Sequence, residues 1–181
     1  MRVISGTARG MPLRPPSTNE TRPISDRAKE ALFNIFSPKV YGCRFLDLFA
    51  GTGGVGIEAL SRGADGATFV ERSRKIAADL RYNLERTRLA DRAVVRQVDV
   101  FEFLAEAPTP FDVVFIAPPQ WLDLWTAALR IIDAEPQWLC DDGVVAVQYD
   151  PREHRAVDLE NLVEYDQRKY GGVHFVLYGR R

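Results

Sequence analysis

The chain has 181 residues, is 46% hydrophobic and 27% charged, and carries a formal net charge of −1. That length supports one domain with a sizeable core, and the ordinary composition excludes a chain that is disordered throughout. The net charge is neutral on a nucleic-acid partner, but residues 1–30 hold Arg2, Arg9, Arg14, Arg22, Arg27 and Lys29 against Glu20, Asp26 and Glu30. A basic arm on a mildly acidic body suits contact with phosphates, although a solvated tail has the same composition. Cys43 and Cys140 have no metal-ligand spacing and make no disulfide framework, so both read as small buried apolar residues. His154 and His174 lie near no motif and read as surface or packing residues. The N-terminus lacks the apolar core of a secretory signal, and no apolar run reaches membrane-spanning length. The expectation is a reduced cytoplasmic protein with no membrane contact, monomeric by default.

Residues 1–24 hold Gly6, Gly10, Pro12, Pro15, Pro16 and Pro23 and read as an irregular arm with a short strand at Arg2-Val3-Ile4. Residues 25–181 read as a single domain. Ser25 has the character of an N-cap, and Asp26 follows where a helix dipole favours an acid. Ala28, Ala31, Leu32, Ile35 and Phe36 recur at helical spacing until Pro38. From residue 44 strands and helices alternate: strand 44–49, helix 54–62, strand 67–71, helix 73–88, strand 93–98, a short helix near 100–106, strand 111–116, helix 121–133 and strand 143–149. The fourth strand, Phe111-Asp112-Val113-Val114-Phe115-Ile116, is nearly all apolar, as burial on both faces requires. Two β-rich runs, 161–169 and 173–179, flank Gly171-Gly172 and read as an antiparallel hairpin. The pattern predicts an α/β fold, an open and mostly parallel sheet with helices on both faces.

The most specific stretch is 45–56, Phe-Leu-Asp-Leu-Phe-Ala-Gly-Thr-Gly-Gly-Val-Gly. A strand, a turn with Gly51, Gly53 and Gly56, and a helix in that order make a nucleotide-type cofactor site. NAD is one reading, and Glu71, about 20 residues past Gly51, stands where its ribose acid would stand. Asp47 points elsewhere. A carboxylate four residues before the first glycine repels a pyrophosphate but suits a cofactor with a cationic amino-acid end. Each acid also fits a bland role alone: Asp47 bonded to backbone amides, Glu71 at a strand end, Asp99 capping a helix. Their joint register around one glycine turn fits the bland roles poorly.

The layout Asp-x-x-x-Gly-x-Gly, then an acid after strand two and another after strand three, resembles the Rossmann-like S-adenosylmethionine-dependent methyltransferases. That resemblance implies that Asp47, Phe49, Gly51, Thr52, Gly53, Glu71, Arg72, Asp99 and Val100 line the cofactor site. Glu71 would accept from the ribose hydroxyls, and Asp99 with the Val100 backbone would read the adenine edge. The stretches Ile4-Ser5-Gly6-Thr7-Ala8-Arg9-Gly10, Thr21-Arg22-Pro23-Ile24-Ser25-Asp26-Arg27-Ala28-Lys29-Glu30, Gly56-Ile57-Glu58-Ala59-Leu60-Ser61-Arg62-Gly63-Ala64 and Asn83-Leu84 narrow it further. Together they resemble the bacterial small-subunit (16S) rRNA guanine-N2 methyltransferases over essentially the whole chain. The resemblance implies a partner, small-subunit rRNA or the assembling small ribosomal subunit. Arg9, Arg14, Arg22, Arg27 and Lys29 are the candidate RNA contacts, since guanidinium groups pair with phosphate in bidentate fashion.

One motif departs from that family. After strand four it usually carries Asp or Asn, then Pro-Pro, then Tyr or Phe; the first residue and the first proline carbonyl accept from the target amine, and the ring stacks on the base. Here the catalytic loop reads Ala117-Pro118-Pro119-Gln120, followed by Trp121. Three readings stand open. The loop works in modified form, with the Pro118 carbonyl holding the amine and Trp121 stacking; or the protein binds RNA and cofactor with little or no catalysis; or the target nucleotide differs.

Overall fold

The computed structural model describes residues 1–17, 24–170 and 172–181. Among the described residues the α-helices are α1 (Asp26–Phe36), α2 (Gly56–Ser61), α3 (Arg74–Thr87), α4 (Val100–Leu104) and α5 (Leu124–Ala134). Seven strands are β1 (Arg44–Asp47), β2 (Gly66–Val70), β3 (Ala93–Arg96), β4 (Phe111–Ile116), β5 (Leu139–Tyr149), β6 (Leu162–Tyr170) and β7 (Val173–Arg180). They form one sheet in the order β3-β2-β1-β4-β5-β7-β6. β1 to β5 run parallel, and β7 inserts antiparallel between β5 and β6. This is the mostly parallel sheet with a terminal antiparallel hairpin that the alternating pattern predicts. Gly171 of that hairpin lies outside the described residues.

Side-chain alternation along the central strands divides the core in two. Phe45, Val113, Phe115, Val144 and Ala146 face α1, α2 and α3. Leu46, Leu48, Val114, Ile116, Val145 and Val147 face α4 and α5. Central strands buried on both faces are therefore almost wholly apolar. Local signals place the helix starts. Ser25 caps α1 by accepting from the Ala28 N–H, and Asp99 caps α4 by accepting from the Phe101 N–H at 2.8 Å. β1 and β3 end two residues earlier than the periodicity suggests, because the chain turns at Leu48 and after Arg96.

The N-terminal segment, read from the sequence as an irregular basic arm, packs against the body. Arg2 and Pro12 form an isolated bridge in place of a strand, and Val3, Ala8 and Leu13 are buried in the α1–α3 side of the core. Its backbone is held by polar side chains of the body. Glu58 accepts from the Ile4 and Ser5 N–H groups at 2.8 and 3.0 Å. Ser61 Oγ donates to the Ser5 carbonyl at 2.6 Å and accepts from the Ala8 N–H at 2.9 Å. Asn83 accepts from the Arg14 N–H and donates to the carbonyls of Arg14 and Thr52, and Asp79 accepts from the Ser17 N–H. These bonds offset the desolvation cost of the described arm's buried backbone groups.

The two histidines, distant in sequence, meet beside Tyr149. Their ring centroids are 5.1 Å apart, His174 is fully buried, and the Tyr149 hydroxyl lies 2.6 Å from His154 Nδ1. Among the described residues no cluster of His, Cys, Asp or Glu is arranged to hold a metal, and no helix is long and apolar enough to cross a membrane.

Candidate active site

The strand order reverses direction at β1, whose neighbours are β2 and β4. Open α/β sheets bind ligands at that switch point, beyond the carboxyl ends of the strands. A cavity of about 660 Å³ lies there, a size typical of small-molecule sites. Its walls come from five strand ends in turn: Asp47–Thr52 at the end of β1, Val70–Ser73 at the end of β2, Asp99–Phe101 after β3, Phe115 and Ala117–Gln120 from β4, and Gln148 on β5. Met1, Pro16 and Ile24 from the docked N-terminal segment add to the lining, as do Gly54, Val55, Ile76, Leu122 and Leu124.

The glycine turn is shaped for close approach to a ligand. Gly51 has φ +54°, and a side-chain carbon built on it would meet nothing within 4 Å, so the space above it is open. Gly53 has φ +85°, but its would-be Cβ collides with Leu80 and Ile57, so this glycine serves helix–turn packing and not the cavity. Glu71 ties the turn to β2. Its Oε2 accepts from the Gly51 N–H at 3.1 Å and its Oε1 from the Ser73 N–H at 2.7 Å. These two bonds place the Glu71 carboxylate at the cavity wall beside Gly51.

Asp47 is buried and accepts from the Gly56 N–H at 3.1 Å. Desolvation pushes its carboxyl up to about 7, opposed by that N–H and reinforced by the negative charge of Glu71. A carboxylate this reluctant to ionise is relieved by a cation in the cavity. Asp99 caps α4 and also lines the cavity, so its structural and ligand-facing positions are compatible.

Phe49, Thr52, Arg72, Val100, Ala117, Pro118, Pro119 and Gln120 all line the cavity as well. Trp121 stands outside the lining and is 57% exposed, with Arg152 over its ring at 4.8 Å. It therefore does not pack in the core. Trp121 and Asp123 both take left-handed backbone, φ +67° and +54°, a strain that non-glycine residues accept mainly at functional loops. The Trp121 N–H donates to Glu153 Oε1 at 2.7 Å, which ties the loop to the segment after β5.

Of the candidate RNA contacts, Arg9 and Arg27 are exposed. Arg14 is exposed too, with its guanidinium 3.5 Å from Asp79 and 3.5 Å from the Tyr82 ring centroid. Lys29 requires a correction: its side chain is fully buried, its Nζ donates to the Arg2 carbonyl at 2.6 Å and lies 3.3 Å from Glu58, and it cannot reach RNA. Its place in the basic N-terminal stretch suggested a phosphate contact, whereas Lys29 sits on a face of α1 buried against Glu58 of α2. Arg22 lies outside the described residues. Sequence reasoning missed Gln148, the lining contributed by Met1, Pro16 and Ile24, and the anchoring role of Glu58, Ser61 and Asn83. Gln148 left a signal as a polar residue in the otherwise apolar run 144–149, while Glu58, Ser61 and Asn83 stand in motif stretches that do not reveal their anchoring.

Comparison with known proteins agrees with this geometry. The family model described as Conserved hypothetical protein 95 matches residues 1–179. Ribosomal RNA small subunit methyltransferase D of Escherichia coli is 33% identical over 99% of this chain and 90% of that protein. The chain belongs to the methyltransferase D family. A Bacillus subtilis relative named for rRNA methylation is 37% identical over the full length of both chains. A solved Escherichia coli structure described as a methyltransferase matches with a TM-score of 0.89 and 32% identity, covering 100% of this chain and 98% of that one. The family match spans the arm as well as the glycine turn, and in the structure the arm docks onto α2 and α3 beside that turn.

Proposed function

We propose that this protein transfers a methyl group from S-adenosylmethionine to the exocyclic N2 amine of a guanine in small-subunit rRNA. The observation that carries the reading is the open, positive-φ Gly51 turn flanked by Asp47, Glu71 and Asp99 at the sheet's switch point. The relatives named for small-subunit rRNA methylation supply the substrate class. Glu71 would hold the ribose hydroxyls, Asp99 and the Val100 backbone the adenine edge, and Asp47 the cationic amino-acid end. When bound, the cofactor supplies an electrophilic methyl: the amine nitrogen bonds to it as the carbon–sulfur bond breaks, a neutral thioether remains, and the surplus proton of the amine passes to water. The chain contributes alignment. The Pro118 carbonyl accepts from the amine, and the rigid β4 end holds it against the donor; positioning of this kind accounts for much of such a rate. Exposed Arg9, Arg14 and Arg27 serve the RNA backbone, and the exposed Trp121 ring serves a base taken out of its stack.

Incubating the protein with S-adenosylmethionine and small-subunit rRNA or assembled subunits that lack the modification, then digesting to nucleosides, tests the reading. N2-methylguanosine is the expected product. Cofactor binding without any methyl transfer would instead identify a non-catalytic RNA-binding protein on a methyltransferase scaffold, and methylation of another base would relocate the target.

The Asp47 environment adds a pH dependence. Its folded pKa of about 7 exceeds the unfolded value of about 3.9. Between those two values the fold binds one more proton than the unfolded chain, so stability falls as pH rises across that window. A cationic ligand favours the ionised form. Affinity for S-adenosylmethionine is therefore expected to rise about tenfold from pH 6 to pH 8, with proton release below pH 7. Calorimetric titrations in buffers of different ionisation enthalpy measure both, and a flat profile would remove Asp47 from the ammonium site.

A further inference from the structure

The loop residue that in an amine methyltransferase would accept from the target NH₂ is Ala117, which has nothing to offer. We propose that Gln148, on the neighbouring strand, supplies that acceptor. The inference rests on the amine-transfer reading and deepens it by naming the group that replaces the missing one.

Ile116 and Val147 are the last paired residues of the parallel β4–β5 ladder. The next residue on each strand is Ala117 and Gln148. Alternation one step past that last pair turns Ala117 and Gln148 to the same face of the sheet, and both line the cavity. Gln148 Oε1 is buried and has no hydrogen-bond partner among the described residues. Buried side-chain acceptors are nearly always satisfied, and an orphan calls for a partner that arrives from outside. Trp138 Nε1 and His174 Nδ1 are also orphaned, but neither residue borders the cavity. Of these three orphans among the described residues, Gln148 Oε1 alone belongs to a residue that lines the cavity.

The alternative acceptor is Gln120, but it is exposed on the loop. Gln148 sits on a strand clamped between β4 and β7, paired there with Phe175, and groups on rigid elements hold catalytic geometry better than groups on loops. An amine that donates one N–H to the Pro118 carbonyl and the other to Gln148 Oε1 has both hydrogens fixed. Its lone pair is then directed out of the plane of those bonds, toward the donor. A neutral amide takes no proton, so the group works by orientation and the proton leaves to water, as in the balanced step above.

Steady-state kinetics on unmodified small-subunit rRNA, with cofactor affinity measured separately by calorimetry, test this in wild type, Gln148→Ala and the double variant Gln148→Ala/Ala117→Asn. Gln148→Ala is expected to lower kcat about a hundredfold, with KM for RNA and the S-adenosylmethionine Kd changed less than about threefold. Ala117→Asn places an amide oxygen on the adjacent strand and is expected to regain about tenfold of the loss. An active wild type with an equally active Gln148→Ala overturns this inference alone. So does a loss that accompanies weakened cofactor binding, or one that Ala117→Asn leaves untouched. A wild type that transfers no methyl to any amine overturns the underlying reading and this inference with it.

Discussion

Replacing Glu58 with alanine is expected to destabilise the protein by about 3–5 kcal/mol, the cost of breaking a buried ion pair from one side. Glu58 is fully buried at the second residue after the α2 start, and four groups converge on it. The Ile4 and Ser5 N–H groups donate to its two oxygens, Lys29 Nζ lies 3.3 Å away, and Arg62 Nε donates at 2.8 Å. Burial pulls the Lys29 ammonium below its ordinary range, and Glu58 is the main influence opposing that fall. Without the carboxylate, Lys29 is a buried cation with one carbonyl partner, and two arm N–H groups lose their acceptor. The melting temperature should drop by about 10 °C for a chain of this size. A double-mutant cycle with Lys29→Met separates the ion pair from the arm contacts: if the pair dominates, Lys29→Met costs far less in the alanine background than alone. A loss below about 1 kcal/mol would mean that the arm is held by its apolar residues only.

Replacing Glu71 with glutamine is expected to weaken S-adenosylmethionine binding at least tenfold, about 1.4 kcal/mol, while the unliganded protein still folds. Both Glu71 oxygens already receive backbone N–H groups, from Gly51 and Ser73. A carboxylate can take those donors and ribose hydroxyls together, because it has no hydrogens of its own. A carboxamide must aim its NH₂ at one of the N–H groups or at the ligand. It also loses the charge that strengthens such bonds about twofold. The change therefore acts on the ligand directly and on the shape of the Gly51 turn. Calorimetry gives the affinity, and a thermal melt of the ligand-free protein separates the two causes. An unchanged Kd would remove Glu71 from the ribose position.

What was legible in the sequence follows from range. Ser25, the Gly51–Gly56 turn, the apolar β4 and the hairpin are written in neighbouring residues, so periodicity and turn chemistry reveal them. The cavity acids were legible for the same reason, each standing at or just past the carboxyl end of its own strand. Lys29 was misread because whether a helical lysine faces water depends on what packs against it, and its partners, Glu58 and the Arg2 carbonyl, are distant in the chain. Gln148 stayed hidden because its significance depends on register: it stands beside Ala117 only once β4 and β5 are paired in parallel. Glu58, Ser61 and Asn83 are legible as part of a family pattern, but their work as anchors of the arm shows only in three dimensions. Motif residues are thus of two kinds here, those that face the cavity and those that fasten the arm forming part of its wall.

The central claim is that the hollow at the carboxyl ends of β1 to β5 holds S-adenosylmethionine. Crystals grown with excess S-adenosylhomocysteine test it most directly. The account predicts the thioether lying over Gly51, its ribose hydroxyls within hydrogen-bond distance of Glu71 and its adenine beside Asp99 and Val100. A well-ordered crystal with the ligand bound elsewhere, or with Phe49 and Leu122 collapsed into the hollow despite saturating ligand, would contradict it.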